Sequence, residues 1–208
     1  MLKVGLTGGI ACGKSYVLQE LTKSGAYTLD ADKIAHSVIS PEGAAYPEVV
    51  NAFGSEILTS EKIIDRKKLG EIVFSDREAL DRLNQIVHPH VFAEEERQIL
   101  AIEADAGETG AGLLVVDATL MIEVGSYRNY DSIIVVYCRP AVQLHRLMQR
   151  DDLSAEEALT RIRSQMPVIR KLRYADYVVD NSGERTETRH QIRRISEKLI
   201  LRQIEEPL

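Results

Sequence analysis

Residues 8–15, Gly8-Gly9-Ile10-Ala11-Cys12-Gly13-Lys14-Ser15, constrain this chain more than any other stretch. They follow a short, partly β-branched run, Lys3-Val4-Gly5-Leu6-Thr7. They precede Tyr16-Val17-Leu18-Gln19-Glu20-Leu21, where Val17, Leu18 and Leu21 recur at helical spacing. The order is strand, glycine-rich loop, helix, and Gly8, Gly13, Lys14 and Ser15 satisfy G-x-x-x-x-G-K-[ST] in the context that motif requires. Gly8, Gly9 and Gly13 are expected to allow positive φ and to bring backbone N–H groups against a polyphosphate with no Cβ in the way. The helix that starts near Lys14 adds unpaired N–H groups and the positive end of its dipole. Lys14 is placed to reach the β and γ phosphates, and the Ser15 hydroxyl to ligate Mg²⁺. A glycine turn followed by a chance Lys-Ser would lack this frame. The stretch Gly8, Gly9, Ile10, Ala11, Cys12, Gly13, Lys14, Ser15 and Tyr16 therefore predicts nucleoside triphosphate binding.

With 208 residues the chain can bury a full core as one large domain or one with small insertions. Its 44% hydrophobic and 28% charged content is that of an ordinary globular protein. A net charge of −6 argues against nucleic-acid binding through an overall basic surface, while leaving room for a local basic site. Cys12 and Cys138 make no disulfide framework, which suits a reducing cytoplasm. Cys12 reads chiefly as a small residue tolerated in a tight loop, although a thiol ahead of a helix N-terminus tends to a lowered pKa. No apolar run approaches the ~18 residues of a membrane helix, so the expectation is a protein with no membrane and no nucleic-acid partner.

After the first helix, Ser24-Gly25 is a stop and Tyr27-Thr28-Leu29 a brief second strand that delivers Asp30-Ala31-Asp32. Carboxylates at a strand's C-terminal end fall where open α/β sheets place their ligand crevice. One of the two can cap the helix running toward Pro41 while the other faces a site, and Asp32 is the preferred site candidate. From Ala44 to Ala106 the pattern is helical, with Val49, Val50 and Phe53 ahead of Gly54, then Leu69, Ile72 and Val73, then Leu80, Leu83 and Val87. His88-Pro89 is expected to end one helix and open the next, because the residue before proline is driven from helix geometry. His88 reads equally as a structural residue at that junction or as part of an acceptor site.

Gly107 to Gly112 reads as a polar connector, and Leu113-Leu114-Val115-Val116-Asp117 as a strand covered on both faces and ending in a carboxylate. Asp117 is then a strand-end cap or a group near Mg²⁺ or substrate; Glu123 is a weaker candidate. Asp131 to Tyr137 is a fourth strand, and Pro140 opens a helix with Leu144, Leu147 and Met148 inward. A basic stretch follows: Arg139, Arg146, Arg150, Arg161, Arg163, Arg170, Lys171 and Arg173. Ser154-x-x-Glu157 is a capping box inside it. These cations could face transferred phosphate, Arg146 and Arg150 first, or form a solvated face with Asp151, Asp152, Glu156 and Glu157. Tyr177 to Asp180 is a fifth strand, Asn181-Ser182-Gly183 a turn, and Ile192, Ile195, Leu199 and Ile204 mark a last helix.

Taken together, these residues closely resemble the dephospho-coenzyme A kinase family, almost end to end. The resemblance runs through Leu6-Thr7-Gly8-Gly9-Ile10 and Gly13-Lys14-Ser15, Asp30-Ala31-Asp32 with Ile34-Ala35, and Leu83-Asn84 with His88-Pro89. It continues through Gln143 with Arg146 and Arg150-Asp151, Arg161-Ile162 with Gln165, and Ala175-Asp176 with Asp180-Asn181-x-Gly183. It implies an α/β, three-layer P-loop NTPase fold of the nucleoside monophosphate kinase type, with a five-stranded parallel sheet, a helical acceptor-binding insertion and a helical lid. By position, the core would be 1–37, 107–142 and 174–208, the acceptor subdomain 38–106 and the lid 143–173. The implied reaction moves the γ-phosphate of ATP, with Mg²⁺, to the 3′-hydroxyl of dephospho-coenzyme A. The resemblance implies that Asp32 holds and helps deprotonate that hydroxyl, with His88 in the acceptor site. It sets Arg146 and Arg150 on the lid side, and Asn181 and Gly183 around the ATP adenine. This sequence departs from the family pattern at Asp117-Ala118-Thr119-Leu120-Met121-Ile122-Glu123, where a proline and a phenylalanine are usual, and at Tyr16, where threonine is common.

The expected catalytic group is thus Asp32, Lys14, Arg146 and Arg150; Asp32, His88 and Asp117 would meet the acceptor, and Ser15 the metal. ATP and dephospho-coenzyme A are the expected partners of a monomer or weak homo-oligomer. The alternative is a P-loop kinase for a nucleoside monophosphate or sugar. A GTP-binding switch is disfavoured because no Asn-Lys-x-Asp guanine-reading motif occurs.

Overall fold

The computed structural model describes residues 1–105 and 112–205. In chain order the elements are β1 (Leu2–Gly8), α1 (Lys14–Lys23), β2 (Tyr27–Asp30), α2 (Ala31–Val38), α3 (Tyr46–Phe53), α4 (Arg66–Ser75) and α5 (Arg77–Asp105). After these come β3 (Leu113–Asp117), β4 (Ser132–Tyr137), α6 (Pro140–Asp151), α7 (Ala155–Arg163), α8 (Val168–Lys171), β5 (Tyr177–Asp180) and α9 (Arg185–Glu205). The expected connector at Gly107–Gly112 falls outside the described residues except for Gly112, as does Ala106 at the end of the helical stretch; the side chain of Ile204 does as well.

The five strands form one sheet in the order β2-β3-β1-β4-β5. β1 pairs parallel with β3 on one side and with β4 on the other, and β4 pairs parallel with β5. The chain thus leaves β1 toward one edge and returns to β1's other side. That reversal opens a crevice at the C-terminal ends of the central strands. Val4, Leu6, Leu114, Val115, Val116, Val135 and Val136 are fully buried, as strands covered on both faces require. Helix α1 packs on α9, and α6 on α7.

Two compact units divide the chain: Met1–Leu29 with Glu103–Leu208, and Asp30–Ile102. In the second unit Asp30 is the N-cap of α2, its side chain accepting from the Lys33 backbone N–H at 2.9 Å, with Asp32 in the first turn. Asp65 caps α4 in the same way, accepting from Lys67 and Lys68. Gly54 ends α3 at φ 82.

One expectation fails here. His88-Pro89 does not separate two helices, because α5 runs unbroken through Pro89. Proline removes its own donation to the Gln85 carbonyl and crowds that carbonyl with its ring, but both Pro89 and Gln85 are solvent-exposed, so the carbonyl can turn to water. Along this helix Val91 is buried while Phe92 is 39% exposed.

Candidate active site

The loop between β1 and α1 owes its shape to two left-handed residues and two close approaches. Positive φ falls on Ala11 (57°) and Gly13 (90°), and Gly8 and Gly9 do not share it. This corrects the expectation for those two glycines. Their lack of a side chain matters for space instead: a Cβ on Gly8 would lie 2.7 Å from the Val136 carbonyl oxygen, and one on Gly9 2.8 Å from Gln143 Nε2. Gly13 needs both freedoms, since a Cβ there would also run into the Asn181 side-chain amide.

Side chains from distant elements hold this loop. Gln143 Nε2 donates to the Ile10 carbonyl at 2.8 Å, and the Ile10 N–H donates to Gln165 Oε1 at 3.0 Å. Asn181 is 5% exposed; its Nδ2 donates to the Cys12 carbonyl at 2.8 Å while its Oδ1 accepts from the Thr188 hydroxyl at 3.1 Å. The Cys12 side chain turns into the core, where the Cys138 thiol donates to its sulfur at 3.3 Å. That contact holds the Cys12 thiol below the ordinary cysteine range and, with burial, pushes Cys138 up.

Lys14 stands at the foot of the loop. Its ammonium forms an ion pair with Asp117 and donates to the Thr119 hydroxyl at 2.8 Å. Both partners come from the end of β3 and the segment after it, so the Asp117 carboxylate is first of all the partner of Lys14. Beyond the lysine a cavity of about 440 Å³ opens, lined by residues 8–11 and 13–15 of the loop with Thr119, Arg146, Arg150 and Gln165. Arg146 is anchored by donating from Nη1 to the Asn181 carbonyl at 2.9 Å. Arg150 pairs with Asp151, which Arg161 shares, so part of the basic stretch follows the solvated-face expectation. An anion entering this cavity would meet loop N–H groups, one ammonium and two guanidinium groups.

The remaining sequence candidates are not among the residues that line this cavity. Tyr16 faces away from the cavity lining, its hydroxyl donating to the Arg185 carbonyl at 3.3 Å beneath the Arg185 guanidinium. Gly183 sits in the turn after β5, where Ser182 Oγ accepts from the Arg139 N–H at 2.8 Å. Asp32 and His88 belong to the Asp30–Ile102 unit. The His88 ring lies 5.9 Å from that of Phe92, and burial lowers its pKa, favouring neutral imidazole. Glu123 pairs with Lys171. Lys171 itself departs from the expectation of a phosphate-facing or solvated cation: its side chain is fully buried. Thr119 and the loop-clamping roles of Gln143 and Gln165 escaped sequence reasoning. The one available signal was Gln143, a polar residue one turn from Leu147 on the inward face of α6.

A family model described as dephospho-CoA kinase matches residues 2–187. The chain belongs to the dephospho-CoA kinase family. A dephospho-CoA kinase of Aquifex aeolicus is 43% identical over 199 residues, covering 96% of this chain and 98% of that one. Its counterpart in Syntrophus aciditrophicus is 42% identical over 200 residues, covering 96% and 84%. A solved dephospho-CoA kinase from Campylobacter jejuni superposes with a TM-score of 0.67 at 32% identity, covering 96% of this chain and 97% of that one. This dephospho-CoA kinase family member is therefore a phosphotransferase that uses ATP as donor. Among its described residues no helix is long and apolar enough to cross a membrane.

Proposed function

We propose that the chain transfers the γ-phosphoryl group of ATP to the ribose 3′-hydroxyl of dephospho-CoA, giving CoA and ADP, the last step of coenzyme A biosynthesis. The observation that carries the proposal is the convergence of the loop, Lys14, Arg146 and Arg150 on one cavity. Phosphoryl transfer needs charge neutralised and reactants aligned, with little covalent help from protein. In the proposed step the acceptor oxygen attacks the γ phosphorus as the bond to the β–γ bridging oxygen breaks, and Asp32 takes the hydroxyl proton. Loop N–H groups and Lys14 would hold the β and γ phosphates, while Arg146 and Arg150 would meet the moving group from the segment 143–173, acting as a lid. His88, within an acceptor subdomain over 38–106, and Asp117 would orient the acceptor. Asn181 and Gly183 are proposed to border the adenine.

The donors available suit Mg²⁺. Ser15 offers an exposed hydroxyl in the cavity wall, and a hard ion that keeps waters and phosphate oxygens as ligands needs few protein atoms. When bound with ATP, the ion would screen the triphosphate charge. A cytoplasmic location is part of the proposal, for which a chain with two cysteines and no disulfide framework gives the reason.

The deciding experiment incubates the purified chain with Mg·ATP and dephospho-CoA, follows ADP release, and weighs the product. A gain of one phosphoryl group by the acceptor is expected. ADP release with no such gain, or transfer only to a different hydroxyl compound, overturns the substrate assignment.

A further inference from the structure

The largest fully buried side chain of the described core is a cation. Lys171, at the end of α8, donates from Nζ to the Thr119 carbonyl at 2.7 Å and pairs with Glu123, Oε1 at 2.9 Å and Oε2 at 3.1 Å. A fully buried lysine is rare, because removing its charge from water costs several kcal/mol unless partners restore it. Apolar residues of similar volume in place of such a pair are often neutral or stabilising, so stability alone is a poor reason for this one.

What the pair touches suggests a different reason. The Thr119 carbonyl that Lys171 holds also accepts from the buried Thr7 hydroxyl of β1 at 3.0 Å. The Ala118 N–H donates to the Leu6 carbonyl at 3.1 Å. Thus residues 117–119 are tied to β1 from behind and to α8 from the side. The same three residues present the Asp117 carboxylate and the Thr119 hydroxyl to the Lys14 ammonium. Two lysines therefore hold one residue, Lys171 by its carbonyl and Lys14 by its hydroxyl. We propose that Lys171, charge-balanced by Glu123, is a positioning residue that sets the Thr119 hydroxyl and through it aims Lys14 at the transferred phosphate. It does not itself touch substrate. Rotation of the Thr119 peptide would swing the hydroxyl away and leave Lys14 with Asp117 as its partner from this segment, drawing the ammonium toward the carboxylate.

The proposal rests on the kinase reading above, and its test keeps the two separable. Removing Lys171 alone would strand Glu123 and could unfold the chain, so the variant to use is Lys171→Met with Glu123→Leu, its folding checked by thermal denaturation. At saturating Mg·ATP and dephospho-CoA, kcat is expected to fall about 10- to 100-fold, the cost of a misplaced catalytic group. KM for ATP should stay within about threefold. Adding Thr119→Val to that variant is expected to cost little more, because both changes act through one hydroxyl, whereas Lys171→Arg with Glu123 intact should recover part of kcat. Unchanged kcat in the folded double variant, or losses that simply multiply when Thr119→Val is added, would overturn the positioning role. A wild-type chain that fails to phosphorylate dephospho-CoA would overturn both readings.

Discussion

Gly13 shows how much can rest on one hydrogen atom. At φ 90 the residue is in the left-handed region, and its missing side chain leaves room for the Asn181 amide that bonds the Cys12 carbonyl. Gly13→Ala should therefore cost about 1–3 kcal/mol of stability from backbone strain and weaken ATP binding as the loop shifts. Denaturant unfolding and nucleotide titration would check the two effects. A variant of native stability would show that the loop can relax. Asp32 belongs to the same scale. If it accepts the hydroxyl proton, Asp32→Asn should lower kcat on the order of 10²–10⁴ while ATP affinity survives, and steady-state kinetics with a separate binding titration would decide it. The two residues also mark what could be read in advance. Gly13 was legible from the motif, but the positive φ at Ala11 was not, because nothing in an alanine advertises a left-handed backbone.

At the scale of elements, α5 holds a testable electrostatic feature. Glu95 is partly buried there, and burial pushes its carboxyl up to about 7 from the ordinary 4.5. Folding thus favours its neutral form. The stability is fully present below pH 4.5 and is lost as pH rises through about 7, where the folded helix must carry a desolvated charge. Solvent screening at a partly exposed site reduces the effect to about 1 kcal/mol. Glu95→Gln should accordingly gain Tm relative to wild type at pH 8.5 and little at pH 5. Equal differences at both pH values would contradict the buried-carboxyl account. The unbroken course of α5 through Pro89 teaches the matching lesson. Local preference placed a junction at His88-Pro89, and solvent exposure of Pro89 and Gln85 made the lost hydrogen bond tolerable. The basic stretch after β4 divides in the same way. Arg146 and Arg150 line the cavity, Arg161 joins Arg150 on Asp151, and Lys171 turns inward. No linear pattern separates those fates.

For the molecule as a whole, the cavity implies coupling between ligand and fold. A non-hydrolysable ATP analogue with Mg²⁺, at 100 times its Kd, should stabilise the chain by about 2.7 kcal/mol if it binds the folded state alone. The same concentration should raise the Tm of a Lys14→Ala variant much less. Equal shifts in both proteins would place the analogue outside the loop cavity. The sequence by itself determined the strand–loop–helix start, the apolar strands that must lie inside a covered sheet, the turns at Gly25 and Gly54, and the motif set that marks the family. Each of these follows from residues adjacent in the chain, through backbone freedom, hydrophobic period or helix capping. Only the tertiary structure decided the partners of the polar groups. Lys14 meets Thr119 across 105 positions, Asn181 meets Cys12 across 169, and Lys171 finds Thr119 across 52. The physical reason is desolvation: a buried charge or amide is satisfied by whatever the fold brings beside it, and strand order, not local sequence, brings these groups together.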